Sequence, residues 1–214
     1  MDKNNIYIRT VSGHRFYPQA EKPKITISDM IFSLCNMPRC AGHMSPFYST
    51  GLHSVVMEDI LSEMLLGGPF NPFATRMGAL FHDGDEFVIA DIPSPVKVLL
   101  PDYKKLQKKI NIGVFDTLHI NGNADWELIH KQDKILWRSE KILFKEWSNV
   151  YNQDVWLCVR DSLKAWEQCL ERAHDNGGKD LVDRVVKIGY TFEQVYTEFT
   201  KRYHSLKSKI AIGA

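Results

Sequence analysis

The segment "ADWELIHKQDKILWRSEKILFKEW", residues 124–147, constrains this chain more than any other stretch. At about 100° per residue on a helical wheel, Trp126, Ile129, Trp137, Phe144 and Trp147 fall within about 40° of Asp133. Lys131, Lys134, Arg138, Lys141 and Lys145 lie off that stripe and reach solvent. A carboxylate set among three tryptophans is costly unless something offsets its desolvation. A salt bridge or a protonated acid would satisfy that demand, and so would a bound cation. Glu140 shares the stripe, as a packing group or as support for whatever Asp133 does.

The other segments predict a mostly α chain with a small N-terminal β element. "IYIRT" and "KITIS" alternate in polarity around a turn-rich stretch, so residues 1–27 read as an arm or short hairpin. Ser28 or Asp29 is placed to cap a helix running to about Met37, and Pro38 ends it. A second helix spans roughly residues 48–66 and closes at Gly67-Gly68. Asn71-Pro72 opens a third, ending near His82. "DIPSPVK" reads as a proline-broken loop. Further helices are expected over about 101–118, 124–147 and 154–174. Thr191 and Gln194 form a capping box for a last one, 192 to about 207. The expected layout is a single domain: the arm, a helical core over 28–150, and C-terminal helices over 151–214 packed on that core.

The histidines separate by neighbourhood. On "YSTGLHSVVMEDILSEMLL", His53 shares the inward stripe with Val56, Met57, Ile60 and Met64, while Glu58, Asp59 and Ser62 take the other side. A histidine so placed is more often a hydrogen-bonded core residue than a ligand. His82-Asp83 ends the helix "PFATRMGALFH". Consecutive residues diverge by about 100° on a helix, so both reach one ion only near a helix end or in a cleft. His174-Asp175 instead precedes "NGG", the chemistry of a helix C-cap, where an exposed imidazole complements the helix dipole. "GGKD" is not a phosphate-binding P-loop, since Ala173 and Asp180 replace its required residues.

The ordered set His53, His82-Asp83, Asp133 resembles the H…HD…D signature of the HD-domain metal-dependent phosphohydrolases. "HDGDEFVIADIPSPVK" is similar to the 5'-deoxynucleotidase branch, including its phage-encoded dNMP and dNTP hydrolases, and "SGHRFYP" with "ITISDMIFSLCNMPRC" fits the same subgroup. The likeness covers about residues 10–147. It implies an HD-domain helical bundle in which His53, His82, Asp83 and Asp133 hold a divalent ion. Glu86 takes the place of the group that moves protons, Asp91 that of a second acid near the leaving oxygen or sugar, and Arg39 that of the phosphate-binding arginine. Leu52 stands where the family often has Glu or Gln.

Two imidazoles with two carboxylates suit Mn, Fe, Co, Ni or Zn better than Ca. Lys97 offers a second positive contact or is simply solvated. Arg15, Phe16 and Tyr17 of the arm, with Phe47 and Tyr48, are candidates to bind base or sugar, although core packing is the commoner fate of aromatics. The implied activity is hydrolysis of a deoxynucleoside 5'-monophosphate. The alternatives are triphosphate release from a dNTP, a non-catalytic nucleotide-binding protein, and a purely structural bundle.

Lys plus Arg number 27 against 26 Asp plus Glu, which gives no electrostatic footprint for a nucleic-acid polymer. Cys35, Cys40, Cys158 and Cys169 lack a structural-zinc spacing and read as free thiols, and no apolar leader or spanning run occurs. A cytoplasmic protein without membrane partners is expected. The amphipathic C-terminal helices favour a homo-oligomer.

Overall fold

The computed structural model describes residues 6–43, 47–64 and 68–212. The chain is mostly α-helical with a two-stranded antiparallel element at its N-terminal end. Strands β1 (Ile8–Arg9) and β2 (Arg15–Phe16) pair with Ile8 opposite Phe16 and Arg9 opposite Arg15. Phe16 turns into the core and meets Phe87 edge-on at 5.3 Å. It therefore offers no face for a base, contrary to the sequence expectation. Arg15 lies over the Tyr7 ring at 4.8 Å and Tyr17 packs beside the same ring at 5.7 Å.

Helix α1 (Ile27–Asn36) begins after Thr26, and neither Ser28 nor Asp29 caps it. The Asp29 carboxylate instead accepts bonds from Thr10 Oγ1 at 2.6 Å, Ser12 Oγ at 2.7 Å and Ser12 N at 3.0 Å. Three donors from the hairpin outcompete one helix-end N–H, and the arm is tied to α1 as a result. Helix α2 (Thr50–Glu63) is capped by Ser49, which accepts from Leu52 N at 3.0 Å. It ends at Glu63 with Met64 as its C-cap, short of the expected stop at Gly67-Gly68, and residues 65–67 lie outside the described residues. Helix α3 (Pro72–Leu80) starts as expected, Asn71 Oδ1 accepting from Phe73 N and Ala74 N.

The expected proline loop holds two short helical turns, α4 (Glu86–Ile89) and α5 (Ser94–Lys97). Pro95 sits in the first turn of α5, where its missing N–H costs nothing. Helix α6 (Pro101–Leu118) has the expected bounds, and α7 (Trp126–Gln153) continues past the expected end at Trp147. The predicted helix over 154–174 breaks at Asp161 into α8 (Val155–Arg160) and α9 (Ser162–Ala173), because Asp161 caps α9 at Lys164 N. A π turn over His174–Gly178 leads straight into α10 (Lys179–Ile188). His174 is the C-cap of α9, as read, although the turn that it opens leads on into another helix, and its side chain meets that of Asp175 at 3.4 Å. The Thr191–Gln194 capping box opens α11 (Phe192–Ile212) as read.

One continuous apolar core runs from Phe16 to Leu206, with α2 near its centre. On the supposed outer face of α2, Glu58 and Asp59 are also buried, because α10 and α11 cover them, while Ser62 stays exposed. Glu58 pairs with Arg76 and Arg202, and Asp59 with Arg184, Arg202 and Lys187. Carboxylates taken out of water require such partners. The C-terminal helices thereby hold α2, and with it His53, from behind. Among the described residues no helix is long and apolar enough to cross a membrane. The four cysteines are free, Cys40 being only half-buried.

Candidate metal centre

Four elements converge on the candidate centre. His53 sits in α2, His82 and Asp83 follow α3, and Asp133 lies in the second turn of α7. Arg39 precedes a short 3-10 turn, Cys40–Gly42. One ligand atom each of His53, His82 and Asp133 lies within 4.8 Å of the other two. The His53 and His82 Nε2 atoms are 3.1 Å apart, and Asp133 Oδ1 stands 3.3 Å from the first and 3.7 Å from the second. Asp83 borders this group, its Oδ2 3.4 Å from His82 Nε2 and 3.8 Å from His53 Nε2. All four residues expected as ligands are therefore brought together, Asp83 at the edge.

Both imidazoles have their other nitrogen committed. His82 Nδ1 is 2.7 Å from the Ala79 carbonyl, which can only accept, so Nδ1 carries the proton. His53 Nδ1 is 2.6 Å from Glu140 Oε1, a buried carboxylate that likewise accepts. Neutral rings fixed in these tautomers turn two bare lone pairs toward each other, with carboxylate oxygens alongside. Only a cation or added protons reconcile that arrangement. The basicity of the two rings reflects the same field. Burial lowers the His82 pKa, but Asp83 and Asp133 outweigh it and lift the value to about 9. The His53 pKa is also raised, because Glu140 and Asp133 overcome burial and the nearby Arg39 charge.

Glu140 is the hub behind the rings, buried and bonded by His53, Tyr48 and Arg39. Tyr48 donates to Glu140 Oε1 at 2.8 Å, so its ring packs inside and is not a base-stacking face. Arg39 donates to Asp83 Oδ2 and Glu140 Oε2, each at 3.2 Å, and its fork is spread between two carboxylates. Burial opposes its charge, yet Glu140 and Asp83 hold the guanidinium firmly protonated. Burial raises the Glu140 pKa, while Arg39 and His53 lower it further, to about 2.

Glu86 is buried beside the centre. Thr50 Oγ1 donates to its Oε2 at 3.4 Å and Lys97 Nζ to its Oε1 at 3.3 Å. Lys97 is thus ion-paired rather than freely solvated. Burial together with the charges of Asp83 and Asp91 pushes the Glu86 carboxyl well above the usual range, against Lys97 and Arg39. Asp91 Oδ2 accepts from Cys40 N at 3.3 Å, which ties it to the turn behind Arg39. The flanking Cys40, Ala41 and Ala90 all have positive φ. Non-glycine residues held there mark a backbone fixed by its surroundings.

The reading of Asp133 among three tryptophans needs correction. Trp126 packs on Phe115 and Trp147 against Trp166, but Trp137 is exposed. The buried face of α7 runs instead through Ile129, Leu136, Glu140, Leu143, Trp147 and Val150, which places Asp133 on its border. The support that Tyr48 and Thr50 give Glu140 and Glu86 carried no sequence signal, since neither partner is near in the chain.

No family model matches the chain. Over 106 residues, 49% of this chain, it is 40% identical to YfdR of Escherichia coli K12, a protein described as uncharacterized. The match covers 54% of YfdR, so the chain spans about half the length of this curated relative.

Proposed function

We propose that this chain is a metal-dependent phosphohydrolase of deoxynucleotides, in its simplest form a 5'-deoxynucleotidase that releases phosphate from a dNMP. One observation carries the reading: two buried imidazoles, each with Nδ1 committed elsewhere, aim Nε2 lone pairs at a shared point 3.1 Å apart, beside Asp133 and Asp83. Mixed nitrogen and oxygen donors fit a divalent transition ion, Mn, Co, Fe, Ni or Zn. Such an ion supplies a Lewis acid and lowers the pKa of water toward about 7.

The remaining work belongs to the chain's own residues. Glu140 and the Ala79 carbonyl hold the rings in the tautomer that leaves Nε2 free. Glu86, with a carboxyl lifted above its ordinary range and held by Thr50 and Lys97, exchanges the proton that hydrolysis must move. Arg39 keeps a fixed positive charge beside Asp83, where a phosphate oxygen gains most from it. Asp91, bonded to the backbone of the Arg39 turn, keeps that charge in register.

The test is metal analysis of purified protein, followed by turnover of dNMP and dNTP panels with Mn or Co. Bound transition metal with phosphate released from dNMPs is the expected result. Release of triphosphate from a dNTP would move the substrate assignment to the longer nucleotide. Protein that takes up no transition ion and turns over neither panel would refute the proposal.

A further inference from the structure

We propose that Trp137 is the platform on which the substrate's nucleobase stacks, an inference that rests on the nucleotide phosphohydrolase reading above. The argument begins with which side of the centre is open. His53 and His82 side chains are 0% and 5% exposed, whereas Asp83 and Asp133 are 25% and 36% exposed. A ligand therefore reaches the two rings past the carboxylates. Along α7, Trp137 follows Asp133 by one helical turn, about 6 Å along the axis and about 40° further from the buried face. It stands at the open edge of the centre, on the side from which a ligand arrives.

Trp137 also lacks the partners that its neighbours have. Trp126 and Trp147 of the same helix each pack against another ring, while Trp137 is 38% exposed and, among the described residues, pairs with none. What it has is a cation: Lys141 Nζ lies 5.6 Å from its ring centre. That contact braces the indole and adds positive charge near the entrance. An exposed indole costs hydration without return unless something flat covers it, and a purine or pyrimidine is the flat group that a nucleotide brings. Of the aromatics that the sequence suggested for this task, Phe16 is spent on Phe87, Tyr17 on Tyr7 and Tyr48 on Glu140, and the exposed Phe47 lies ahead of α2, outside the helix that carries His53. Trp137 remains one turn from Asp133, with Lys141 against its ring and no aromatic partner among the described residues.

The test compares wild type with Trp137→Ala and Trp137→Phe in the metal-loaded protein. Substrates are dNMPs and deoxyribose 5-phosphate, an ester without a base or any other flat ring, with fluorescence titration by a deoxynucleoside as a readout independent of turnover. Trp137→Ala should raise the dNMP KM and weaken deoxynucleoside binding ten- to a hundredfold. Metal content and the rate with deoxyribose 5-phosphate should stay at wild-type values, and Trp137→Phe should recover most of the loss. Equal losses on both esters, or unchanged deoxynucleoside binding in Trp137→Ala, would overturn the assignment. Wild-type protein that hydrolyses neither ester contradicts the 5'-deoxynucleotidase reading instead, and the deoxynucleoside titration still decides the role of Trp137.

Discussion

Replacing Glu140 by glutamine tests whether the arrangement behind the rings is built for a metal. Glu140 accepts from His53 Nδ1 at 2.6 Å, Tyr48 Oη at 2.8 Å and Arg39 Nη2 at 3.2 Å, all in a buried setting. Glutamine keeps the shape but loses the charge, and one of its two polar atoms changes from acceptor to donor. His53 then loses a charge-assisted partner, which makes Nε2 a poorer donor and loosens the ring. Removing such outer support typically weakens metal affinity about 10- to 100-fold, or about 1.4–2.8 kcal/mol. The metal-free fold should weaken separately. Arg39 keeps Asp83 but loses its other carboxylate, and the cost should sit near the low end of breaking a buried pair, about 3 kcal/mol. Competition against a chromophoric chelator measures the first effect, and urea unfolding in excess chelator measures the second. A Glu140→Gln protein that folds and binds metal within about threefold of wild type would refute the reasoning, because the tenfold minimum expected for lost support would be missing. Loss of stability with unchanged metal affinity would reduce Glu140 to a packing ion pair.

Three further predictions concern separate parts of the molecule. Glu86→Gln should lower kcat by about 10²–10⁴ while leaving metal content unchanged, measured by dNMP turnover beside metal analysis; a fully active variant would remove Glu86 from proton transfer. Gly51→Ala would set a Cβ 2.8 Å from Cys35 Sγ and 2.9 Å from Cys35 Cα, so a loss of about 1–3 kcal/mol is expected from overpacking, and an unchanged thermal midpoint would contradict the close packing of α1 on α2. Burial raises the Asp59 pKa, but bonds from Arg202 and Arg184 bring it below the ordinary 3.8. A carboxyl depressed in the folded state contributes stability above pH 3.8 and loses it as pH falls through the lower folded value. Urea unfolding of wild type and Asp59→Asn should therefore converge only in that acid range, and parallel pH profiles down to pH 2 would refute the assignment.

The candidate centre was legible where its residues also carried local patterns. His53 fell on an apolar helical stripe, His82-Asp83 at a helix end, and Asp133 as a charge on an otherwise apolar face, each a conflict visible within one turn or two. Glu140 was visible for the same reason. Its use by Tyr48 was not, because a hydrogen bond between residues 92 positions apart leaves no periodic trace. The wheel also misjudged Trp137. Helical phase gives direction around an axis, but it does not say where the neighbouring helices stop covering it.

What the amino-acid order alone determined is local: helix periods, the caps at Asn71 and Thr191, and the spacing of ligand candidates, all set by bonds and rotations within a few residues. Tertiary structure decided the rest. It turned Asp29 from a cap into a clamp on the hairpin, buried Glu58 and Asp59 under arginines from α3, α10 and α11, and left Trp137 uncovered beside Asp133. Those outcomes depend on which distant surfaces meet, and desolvation assigns a charge or a ring its partner only once they have met.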